Sequence, residues 1–568
     1  MRSDMMPVPR AVLVVVLSLL SVGYCHYEVN PLRSFRHERA IVKLEQDIKL
    51  YVSPNTLNKS GEWVTVSWSS VSQPSTLDWV GLWVLPDNQT SIDAKTKAPV
   101  KYQYCNHSST HLSKGFGKLR IYLVNMRGVN QFGFFRGGFE NPTLAAVSNV
   151  VTLEYPNEPL HGHLALTNNI AEMVLMWVTR DATTPQVKWG TTSKQYTSTK
   201  NAVSSTYKAT DMCASPARDY GWLDPGLIHK VTLDGLKPQT KYFYIFGDDA
   251  YGWSEEFNFT SAPKTGPDVV TRVLAFGDMG HGLKDDTRQV LKLEQPSLNT
   301  TKNLISEMGA HDLIIDVGDI SYADGYEPIW DEYFDQVKTL LAGLPCMVNP
   351  GNHESDSPNS DAYWQENGSG GECNVPYVNR FAMPTPGPQQ PWYGFDFGCI
   401  HVVMMSTEHD FTSTSKQYTY LSEHLKSVDR TKTPWLIFGG HRPMYVDSSN
   451  ETEPSGQIPV SKLLIQHIEP LLVTYKVDIA FWGHHHTYQR MCPVVNGVCQ
   501  EGAPVHVIMG MAGRALLHDL SPTPPSFVKV LDEWHWGYTR FVANSTTLVF
   551  QYIHNDGNIY DTVILKKN

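Results

Sequence analysis

The sequence predicts a multidomain β plus α/β protein, in which two N-terminal β-sandwiches precede an α/β domain. Short apolar runs separated by turn residues fill the first half, strands alternate with helical patterns after about residue 269, and 568 residues exceed one ordinary domain. The predicted segments are a signal peptide at 1–25, sandwiches at 26–155 and 156–265, and the α/β domain at 266–568, with a C-terminal part at about 500–568.

The first 25 residues have the pattern of a secretory signal peptide. Arg2 and Arg10 precede an apolar stretch from Ala11 to Val22, and small residues fit a cleavage just before His26. This stretch is too short to span a bilayer, which needs about 20 residues. We therefore expect a secreted, extracellular protein without membrane attachment, with the vacuole or the cell wall as alternative destinations.

Asn-X-Ser/Thr sequons support export, because such sites are glycosylated in secreted proteins. The eight predicted glycosylation sites are Asn58, Asn88, Asn106, Asn258, Asn299, Asn367, Asn450 and Asn544.

Loss of the signal peptide would leave seven of the eight cysteines, and an odd number in a secreted chain indicates a free thiol or an intersubunit bridge. Cys492 and Cys499 flank Asn496-Gly497, a strong hairpin signal, so we predict a disulfide between them. Cys346 and Cys399 lie beside apolar strands and are expected to be buried as small apolar side chains.

Each sandwich is predicted from a block of short apolar runs. The runs of the first block are Leu50–Val52, Trp63–Trp68, Trp79–Leu85, Leu119–Val124 and Val150–Tyr155. After a linker at Pro156–Pro159, the runs of the second block are Met173–Val178, Gln186–Trp189, His229–Leu233, Tyr242–Phe246 and Glu255–Phe259.

The α/β domain is predicted from helical patterns that alternate with apolar strands. The predicted helices are Thr300–Met308, Ile329–Leu341, Gln417–Val428 and Val460–Tyr475. The runs Thr547–Ile553 and Thr562–Leu565 predict C-terminal strands that pack onto the same core.

Five short segments that carry metal-binding side chains each follow an apolar run. They are Gly277-Asp278-Met279-Gly280, Gly318-Asp319-Ile320-Ser321-Tyr322, Gly351-Asn352-His353-Glu354, Gly440-His441 and Gly483-His484-His485-His486. Because ligands at strand ends project into a common crevice, the segments should meet at one site. Carboxylates, an amide oxygen, imidazoles and a phenol suit iron, zinc or manganese. Two such ions about 3.5 to 4 Å apart would serve phosphoryl hydrolysis.

The same ordered set resembles the purple acid phosphatases, from about residue 160 to the C-terminus. The resemblance implies a four-layer α/β/β/α metallophosphoesterase domain behind a fibronectin type III-like second sandwich. Asp278, Asp319, Tyr322 and His486 would hold Fe³⁺. Asp319, which bridges, would hold a divalent ion (Zn²⁺, Mn²⁺ or Fe²⁺) together with Asn352, His441 and His484. The implied function is a secreted acid phosphatase that hydrolyses phosphate esters by metal-bound hydroxide attack.

Tyr322 makes the prediction specific to a ferric centre. A free phenol ionises near pH ~10, so only a strong Lewis acid would hold it as phenolate. The same ion should acidify water below the ~7 reached by zinc, and we therefore expect an acidic pH optimum.

His353 is the predicted catalytic residue, as the group that protonates the leaving oxygen, with Glu354 or a neighbouring acid tuning it. Asn352 and His353 are also the predicted substrate-binding residues. Plant members of the family place two histidines shortly after the segment at His441, whereas residues 446–451 here have none.

Three other histidines are expected to play no part in this chemistry. His485 should face away from its two neighbours in an extended segment. His281 is expected to be a polar surface residue, and His535, between Trp534 and Trp536, is expected to pack in the C-terminal part.

The substrate class stays open at this stage. Gln295–Thr301, Ser369–Cys373 and Ser406–Asp410 resemble the long members similar to plant diphosphonucleotide phosphatases and phosphodiesterases, so a nucleotide pyrophosphatase/phosphodiesterase is one alternative. A weakly active, metal-binding, wall-associated protein is another, and a non-purple phosphoesterase is a third that Tyr322 disfavours.

The expected partner is a small phosphate ester or nucleotide. A net charge of −11 excludes the basic surface that nucleic-acid binding requires. A homodimer is an open option.

Overall fold

The computed structural model describes residues 31–86, 89–289, 295–387, 389–449 and 455–567. The predicted signal peptide and the sequons at Asn88 and Asn450 lie outside these ranges. The other six sequon asparagines are exposed, so their side chains are accessible to glycosylation, which remains a prediction. Within the described ranges, no helix combines the length and the apolar character that crossing a bilayer requires.

The first sandwich packs a five-stranded sheet on a three-stranded sheet. In spatial order the strands are Ile41–Val42, Thr143–Val147, Val129–Arg136, Trp79–Leu85 and Lys101–Tyr104, and then Lys49–Ser53, Glu62–Ser69 and Gly117–Leu123. Thr56–Leu57 and Thr152–Leu153 form a small parallel pair. Val64 and Val66, alternate residues of one strand, pack with Val80 and Phe132 of the facing sheet. The predicted strands around Trp63 and Trp79 are therefore confirmed.

The second sandwich also consists of two antiparallel sheets. One has the strands Leu160–Ala165, Met173–Thr179, Leu227–Leu233 and Val203–Ser205, and the other has Ser198–Asn201, Gln186–Gly190, Lys241–Asp248, Gly252–Trp253 and Phe257–Thr260. Its core continues into the third domain: Tyr244 is fully buried and donates to the carbonyl of Ala342 at 2.7 Å, and Met347 belongs to the same apolar cluster. The sandwich and the α/β domain thus share one core.

Two sheets form the centre of the α/β domain. The six-stranded sheet has the order Cys346–Val348, Leu313–Asp316, Thr271–Phe276, Gly537–Ala543, Thr547–His554 and Ile559–Lys566. The eight-stranded sheet has the order Tyr393–Phe397, Ile400–Met404, Trp435–Gly439, Ile479–Trp482, Val505–Met509, Tyr488–Val495 and Val498–Cys499, with Val528–Asp532 also paired to Tyr488–Val495. The three strands that precede predicted ligands in the first sheet are parallel to one another.

Alternation of side chains along the strands explains the four layers. Val273 and Ala275 belong to the cluster between the sheets, whereas Leu274 and Phe276 belong to the cluster that contains helix Pro328–Gly343. On the other sheet, Ile437 points to the first cluster, and its neighbours Leu436 and Phe438 pack with helices on the outside. The predicted α/β/β/α sandwich is confirmed, because each sheet is covered by the other sheet and by helices.

Three of the four predicted helices of this domain are confirmed, and two short helices were not predicted. The helices are Pro296–Glu307, Pro328–Gly343, Asn352–Ser355, Val375–Arg380, Lys416–Ser427, Gln457–His467 and Glu469–Thr474, and the first sandwich adds His111–Lys114. The single helix predicted at Val460–Tyr475 is wrong, since it is two helices that meet at Ile468. Pro470 has no amide hydrogen to continue the first helix but suits the first turn of the second.

Two disulfides are present in the described part of the chain. The predicted Cys492–Cys499 bridge is confirmed, and Asn496 and Gly497 between them have φ of 47° and 74°, as a tight hairpin turn requires. The second bridge, Cys213–Cys373, joins the second sandwich to the α/β domain across 160 residues and was not predicted. Cys105, Cys346 and Cys399 are free and buried, which confirms the expectation for the last two.

Candidate binuclear metal centre

The predicted ligands meet at the carboxyl ends of strands from both sheets. Asp278, Asp319 and Asn352 follow strands of the six-stranded sheet, and His441 and His484 follow strands of the eight-stranded sheet. This edge of a parallel sheet is where α/β proteins bind ligands.

The backbone at this edge is strained. Asp278, Asp319, Tyr322 and His484 have φ of 59°, 54°, 53° and 69°, a left-handed conformation that costs about 1–3 kcal/mol for side chains other than glycine. Such strain persists only where the surroundings enforce it, and it concentrates at functional sites.

Glycines allow the strands to approach the carboxylates. A Cβ atom at Gly351 would collide with Oδ1 of Asp319, and one at Gly483 would lie 2.6 Å from Oδ2 of Asp278. Both positions therefore need glycine, because the carboxylates occupy the space of a side chain.

One group of donors contains Asp278, Tyr322 and His486. The Tyr322 hydroxyl lies 3.1 Å from Oδ1 of Asp278 and 3.1 Å from Nε2 of His486, and these last two atoms are 3.4 Å apart. An oxygen of Asp319 lies within 4.8 Å of the Asp278 and His486 donor atoms, so this carboxylate completes the group.

The second group contains Asp319, Asn352, His441 and His484. Oδ1 of Asn352 lies 2.7 Å from Nδ1 of His484 and 3.1 Å from Nε2 of His441, whose distance to Oδ2 of Asp319 is 3.2 Å. Asp319 belongs to both groups. All seven predicted ligands are thus brought together in two adjoining groups.

The imidazole tautomers fit metal binding. Nδ1 of His441 lies 2.9 Å from the carbonyl oxygen of Val317, and Nδ1 of His486 lies 2.9 Å from that of Ala515. Because a carbonyl only accepts, each Nδ1 carries the proton and each Nε2 presents a lone pair to the centre. Such a fixed outer hydrogen bond is the usual arrangement for a ligating histidine.

Burial and neighbouring charges shift the pKa values of several side chains at this site. Burial lowers the pKa of His441, but the neighbouring carboxylates, Asp319 first, raise it to about 10. Burial and the carboxylates of Asp278 and Asp319 raise the pKa of the Tyr322 phenol well above its usual value. Burial and neighbouring positive charges instead lower the pKa of His484 well below its usual value. The donor set itself, of carboxylates, an amide oxygen, a phenol and imidazoles, fits two ions such as iron and zinc.

His353 lies at the rim of the two groups. Its Nδ1 is 2.6 Å from Oδ1 of Asp324, its Nε2 is 3.9 Å from Oδ2 of Asp319, and its ring stands 4.4 Å from the Tyr322 ring. Burial lowers the pKa of His353, but the carboxylates of Asp324 and Asp319 outweigh burial and raise it.

Of the two predicted kinds of acid partner for His353, the structure favours the neighbouring acid. Glu354 instead accepts from the amides of Gly351, Asp319 and Ile320 at 2.9, 3.0 and 2.9 Å. These hydrogen bonds hold the loop that carries Asp319. Asp324 was missed because it lies two residues beyond the segment that ends at Tyr322, in an irregular loop whose side-chain directions the sequence does not indicate.

Arg514 is a second residue that sequence reasoning missed. It is 5% exposed, its guanidinium lies 4.4 Å from the centre of the Tyr322 ring, and its amide donates to the carbonyl of Asp278 at 3.0 Å. Its positive charge opposes the rise in the pKa of both His353 and Tyr322, so Arg514 is close enough to the rim to act on these two groups. The signal that could have found it is the glycine-bearing segment 510–514 directly after strand Val505–Met509.

Residues 446–448, the start of the segment that lacks the two expected histidines, are buried. Val446, Asp447 and Ser448 are at most 2% exposed, and the amide of Asp447 donates to Gln489 at 2.8 Å. Ser448 donates to Asp519 at 3.1 Å. These three residues therefore pack inward.

Two of the other histidines can be placed here. His485 points away from the donor groups, 2.7 Å from the Thr487 hydroxyl and 3.1 Å from Asp519, so the prediction for it is confirmed. The prediction that His281 is a surface residue is wrong. It is 1% exposed and pairs with Gln289 at 2.7 Å, because the first sandwich covers this loop and takes a hydrogen bond from the same Gln289 at the carbonyl of Val100.

Comparison with family models divides the chain in the same order as the structure. Residues 50–155 match the Fn3-like domain from purple acid phosphatase, 159–261 the purple acid phosphatase N-terminal domain, 271–488 the calcineurin-like phosphoesterase, and 503–562 the iron/zinc purple acid phosphatase-like protein C. The model described as Fn3-like thus matches the first sandwich. The second sandwich, which was expected to be fibronectin type III-like, matches the N-terminal domain model.

Individual relatives cover most of the chain. It is 34% identical to "Probable inactive purple acid phosphatase 1" of Arabidopsis thaliana, over 98% of this chain and 96% of the relative. A "Nucleotide pyrophosphatase/phosphodiesterase" of Hordeum vulgare is 31% identical over 56% of this chain and 90% of its own length. The solved structure of purple acid phosphatase PPD1 from yellow lupin (Lupinus luteus) seeds superimposes with a TM-score of 0.85 at 31% identity, over 92% of this chain and 97% of that one.

Proposed function

This chain belongs to the purple acid phosphatase family, and from that premise we propose that it is a binuclear acid phosphatase that hydrolyses phosphate esters. The observation that carries the proposal is the convergence of the seven donor side chains around Asp319. Several relatives are named probable inactive enzymes, so the donor set of this chain itself has to support activity.

The two groups would hold different ions. Asp278, Asp319, Tyr322 and His486, with the phenol, suit Fe³⁺. Asp319, Asn352, His441 and His484 suit Zn²⁺, Mn²⁺ or Fe²⁺. When bound, such a pair acidifies water and polarises the phosphoryl group at mildly acidic pH.

His353 would deliver the proton to the leaving oxygen. Asp324 holds Nδ1 at 2.6 Å, so the other ring nitrogen, Nε2, is the one that faces the centre and can donate. The raised pKa keeps the ring protonated in the acidic range where the enzyme is expected to work.

Arg514 would take part of the phosphate-binding role that two histidines play in the plant family members. A guanidinium presents two parallel N–H donors to a phosphate, and it remains charged at every relevant pH. Its position over Tyr322 and its effect on the pKa of His353 put this charge beside the proton donor.

A nucleotide pyrophosphatase/phosphodiesterase is the second candidate. The similarity to the barley protein of that name supports it, and so does the buried segment 446–448, which contributes no histidine to the rim. Turnover of a nitrophenyl phosphate monoester against that of a nucleotide pyrophosphate discriminates the two. A clear preference for the pyrophosphate would transfer the proposal to the second candidate.

The test of the main proposal combines metal analysis, a visible spectrum and turnover at pH 4 to 8. We expect one iron and one divalent ion in the centre, visible absorption and an acidic optimum. Protein that holds both ions and absorbs visible light, yet hydrolyses no phosphate ester, would point instead to the weakly active wall-associated alternative.

Export through the secretory pathway forms part of the proposal. Two disulfides, which persist in oxidising compartments, and six exposed sequon asparagines support it. Mass spectrometry of the mature N-terminus and of the glycopeptides tests it.

A further inference from the structure

A third group of metal-binding side chains lies outside the binuclear centre, where strand Val528–Asp532 meets the C-terminal hairpin. Asp532 is the last residue of that strand, and His554 is the last residue of strand Thr547–His554. Gly537 pairs with His554, and the amide of Asn555 donates to the carbonyl of Trp536. The backbone therefore holds the loop of residues 533–536, which carries His535, directly over His554.

The donor atoms of the three side chains lie close together. Oδ2 of Asp532 is 2.8 Å from Nε2 of His554, and Nδ1 of His535 is 3.1 Å from each oxygen of Asp532. The three donor atoms lie within 4.8 Å of one another. The two imidazole rings stack, with centroids 4.2 Å apart and planes at 12°.

Hydrogen bonds alone leave this group unsatisfied. His554 is 6% exposed, and among the described residues its Nε2 has no hydrogen-bond partner, although the Asp532 oxygen is only 2.8 Å away. The nitrogen is close enough, but its direction is wrong for a hydrogen bond. A buried nitrogen without a partner costs about 1–3 kcal/mol, whereas a cation between nitrogen and carboxylate would satisfy both.

The surroundings orient the three donors. The amide of Trp534 donates to Asp532 at 2.9 Å, and the Tyr552 hydroxyl donates to the carbonyl of His535 at 2.7 Å. The Tyr560 ring stacks on His554 at 4.8 Å. Asp532 is 3% exposed, while the side chain of His535 is 53% exposed. The group is thus preformed on its protein side and open to solvent on the other.

We propose that Asp532, His535 and His554 form a third, mononuclear metal site that takes Zn²⁺ or a similar divalent transition ion. Two imidazoles and one carboxylate, with a solvent-open fourth position, are a common zinc donor set. Mg²⁺ and Ca²⁺ prefer oxygen donors and fit poorly. His535 was expected to pack in the C-terminal part. Its ring does stack on His554, but its side chain is 53% exposed.

The site has a structural connection to the rim of the binuclear centre. Trp536, next to His535, donates its indole N–H to the carbonyl of Arg514 at 2.8 Å. An ion bound at the third site would fasten the loop of residues 533–536 and, through Trp536, the backbone that carries Arg514. The third site shares no residue with the binuclear centre, so it stands or fails separately from the proposed function.

The test counts zinc in the full chain after metal removal and reloading. Isothermal titration with Zn²⁺ is compared between the wild-type protein, His535→Ala and His518→Ala. His518 is a matched control, since it is also half-exposed and bonds to Glu533 in the same loop. We expect His535→Ala to bind one equivalent less than the wild-type protein and His518→Ala to bind the same number. Equal counts in all three proteins, or the same loss in both variants, would overturn the proposal.

A second measurement needs no variant and no activity. Diethylpyrocarbonate modifies accessible imidazoles, so peptide mass spectrometry can follow His535 and His518 in the same sample. We expect saturating Zn²⁺ to slow the modification of His535 at least roughly tenfold and to leave His518 unchanged. Equal rates for His535 with and without zinc would contradict the assignment.

Discussion

Nδ1 of His353 lies 2.6 Å from Oδ1 of Asp324, and the amide of the same histidine donates to Oδ1 of Asp319 at 2.9 Å. His353 is therefore held at its backbone by the Asp319 carboxylate and at its ring by the Asp324 carboxylate. Its free nitrogen has a defined direction towards the centre.

Replacement of Asp324 by Asn should lower kcat by roughly 10²-fold, the lower end of what general acid–base catalysis contributes. The amide oxygen can still accept from Nδ1, but the neutral amide no longer stabilises the positive charge of the protonated ring. The loss should be larger for an alkyl phosphate than for a nitrophenyl phosphate, whose leaving oxygen needs less protonation. Asp249→Asn, at an exposed residue of the second sandwich, is the charge control. Equal losses for both esters would argue against proton delivery by His353.

Replacement of Arg514 by Met should weaken binding of inorganic phosphate by roughly 10- to 150-fold. Hydrogen bonds to a charged group are worth about 1.5–3 kcal/mol, which gives this range. Arg514→Lys should recover part of the affinity, since it keeps the charge but loses the paired donors. The inhibition constant of phosphate and the metal content are measured together, with exposed Arg120 changed to Met as control. Unchanged phosphate inhibition in a fully metal-loaded Arg514→Met protein would remove Arg514 from the binding site.

Replacement of Tyr322 by Phe should abolish the visible absorption. The phenol lies 3.1 Å from both Asp278 and His486, and among the described aromatic hydroxyls it is the one inside the donor groups. Iron content should fall less than absorbance, because Asp278, Asp319 and His486 remain. Visible spectra and metal analysis of the same sample provide the measurement. A persistent visible band would mean that the chromophore is not this phenolate.

Acid should destabilise the fold through His506. This residue is fully buried and accepts a hydrogen bond from the Trp482 indole at 3.1 Å, and burial lowers its pKa to about 3. Below pH ~6.5 the unfolded chain binds a proton that the folded chain refuses, so stability falls as the pH falls from 6.5 towards 3. At pH 4 the loss from this group is about 3 kcal/mol.

The His506→Gln variant isolates that contribution. The variant can still accept from Trp482, but it does not titrate, so its urea midpoint should fall less between pH 7 and pH 4 than that of the wild-type protein. Exposed His518, changed to Gln, serves as the control. Parallel pH profiles of all three proteins would show that His506 does not govern the acid sensitivity.

Five of the seven predicted metal ligands were accessible to sequence reasoning because each directly follows an apolar strand and a glycine. A buried β-branched strand, a glycine and a polar residue recur before Asp278, Asp319 and His484, and the strand order then brings them together. The sandwiches followed from short apolar runs separated by turn residues, whereas the four layers were implied by the family resemblance. The strands and the residues that directly follow them are visible in the sequence because they depend on local patterns of apolar residues.

The features that were missed depend on contacts between distant segments. Asp324 and Arg514 reach the rim from loops 190 residues apart, and neither loop has a periodicity that reveals where its side chain points. Cys213 meets Cys373 only after the second sandwich docks on the α/β domain. The break in the helix at Pro470 was visible in the sequence but was outweighed by the apolar pattern around it.

The hydrogen bond from Tyr244 to Ala342 joins two domains whose apolar residues form a single cluster. The α/β domain is consequently not an independent module. A fragment that begins at residue 266 would lack the second sandwich, whose apolar residues form one cluster with Met347. The apolar surface exposed in this way would cause the fragment to aggregate. Shortening this protein from its N-terminal side should therefore abolish solubility before it affects chemistry.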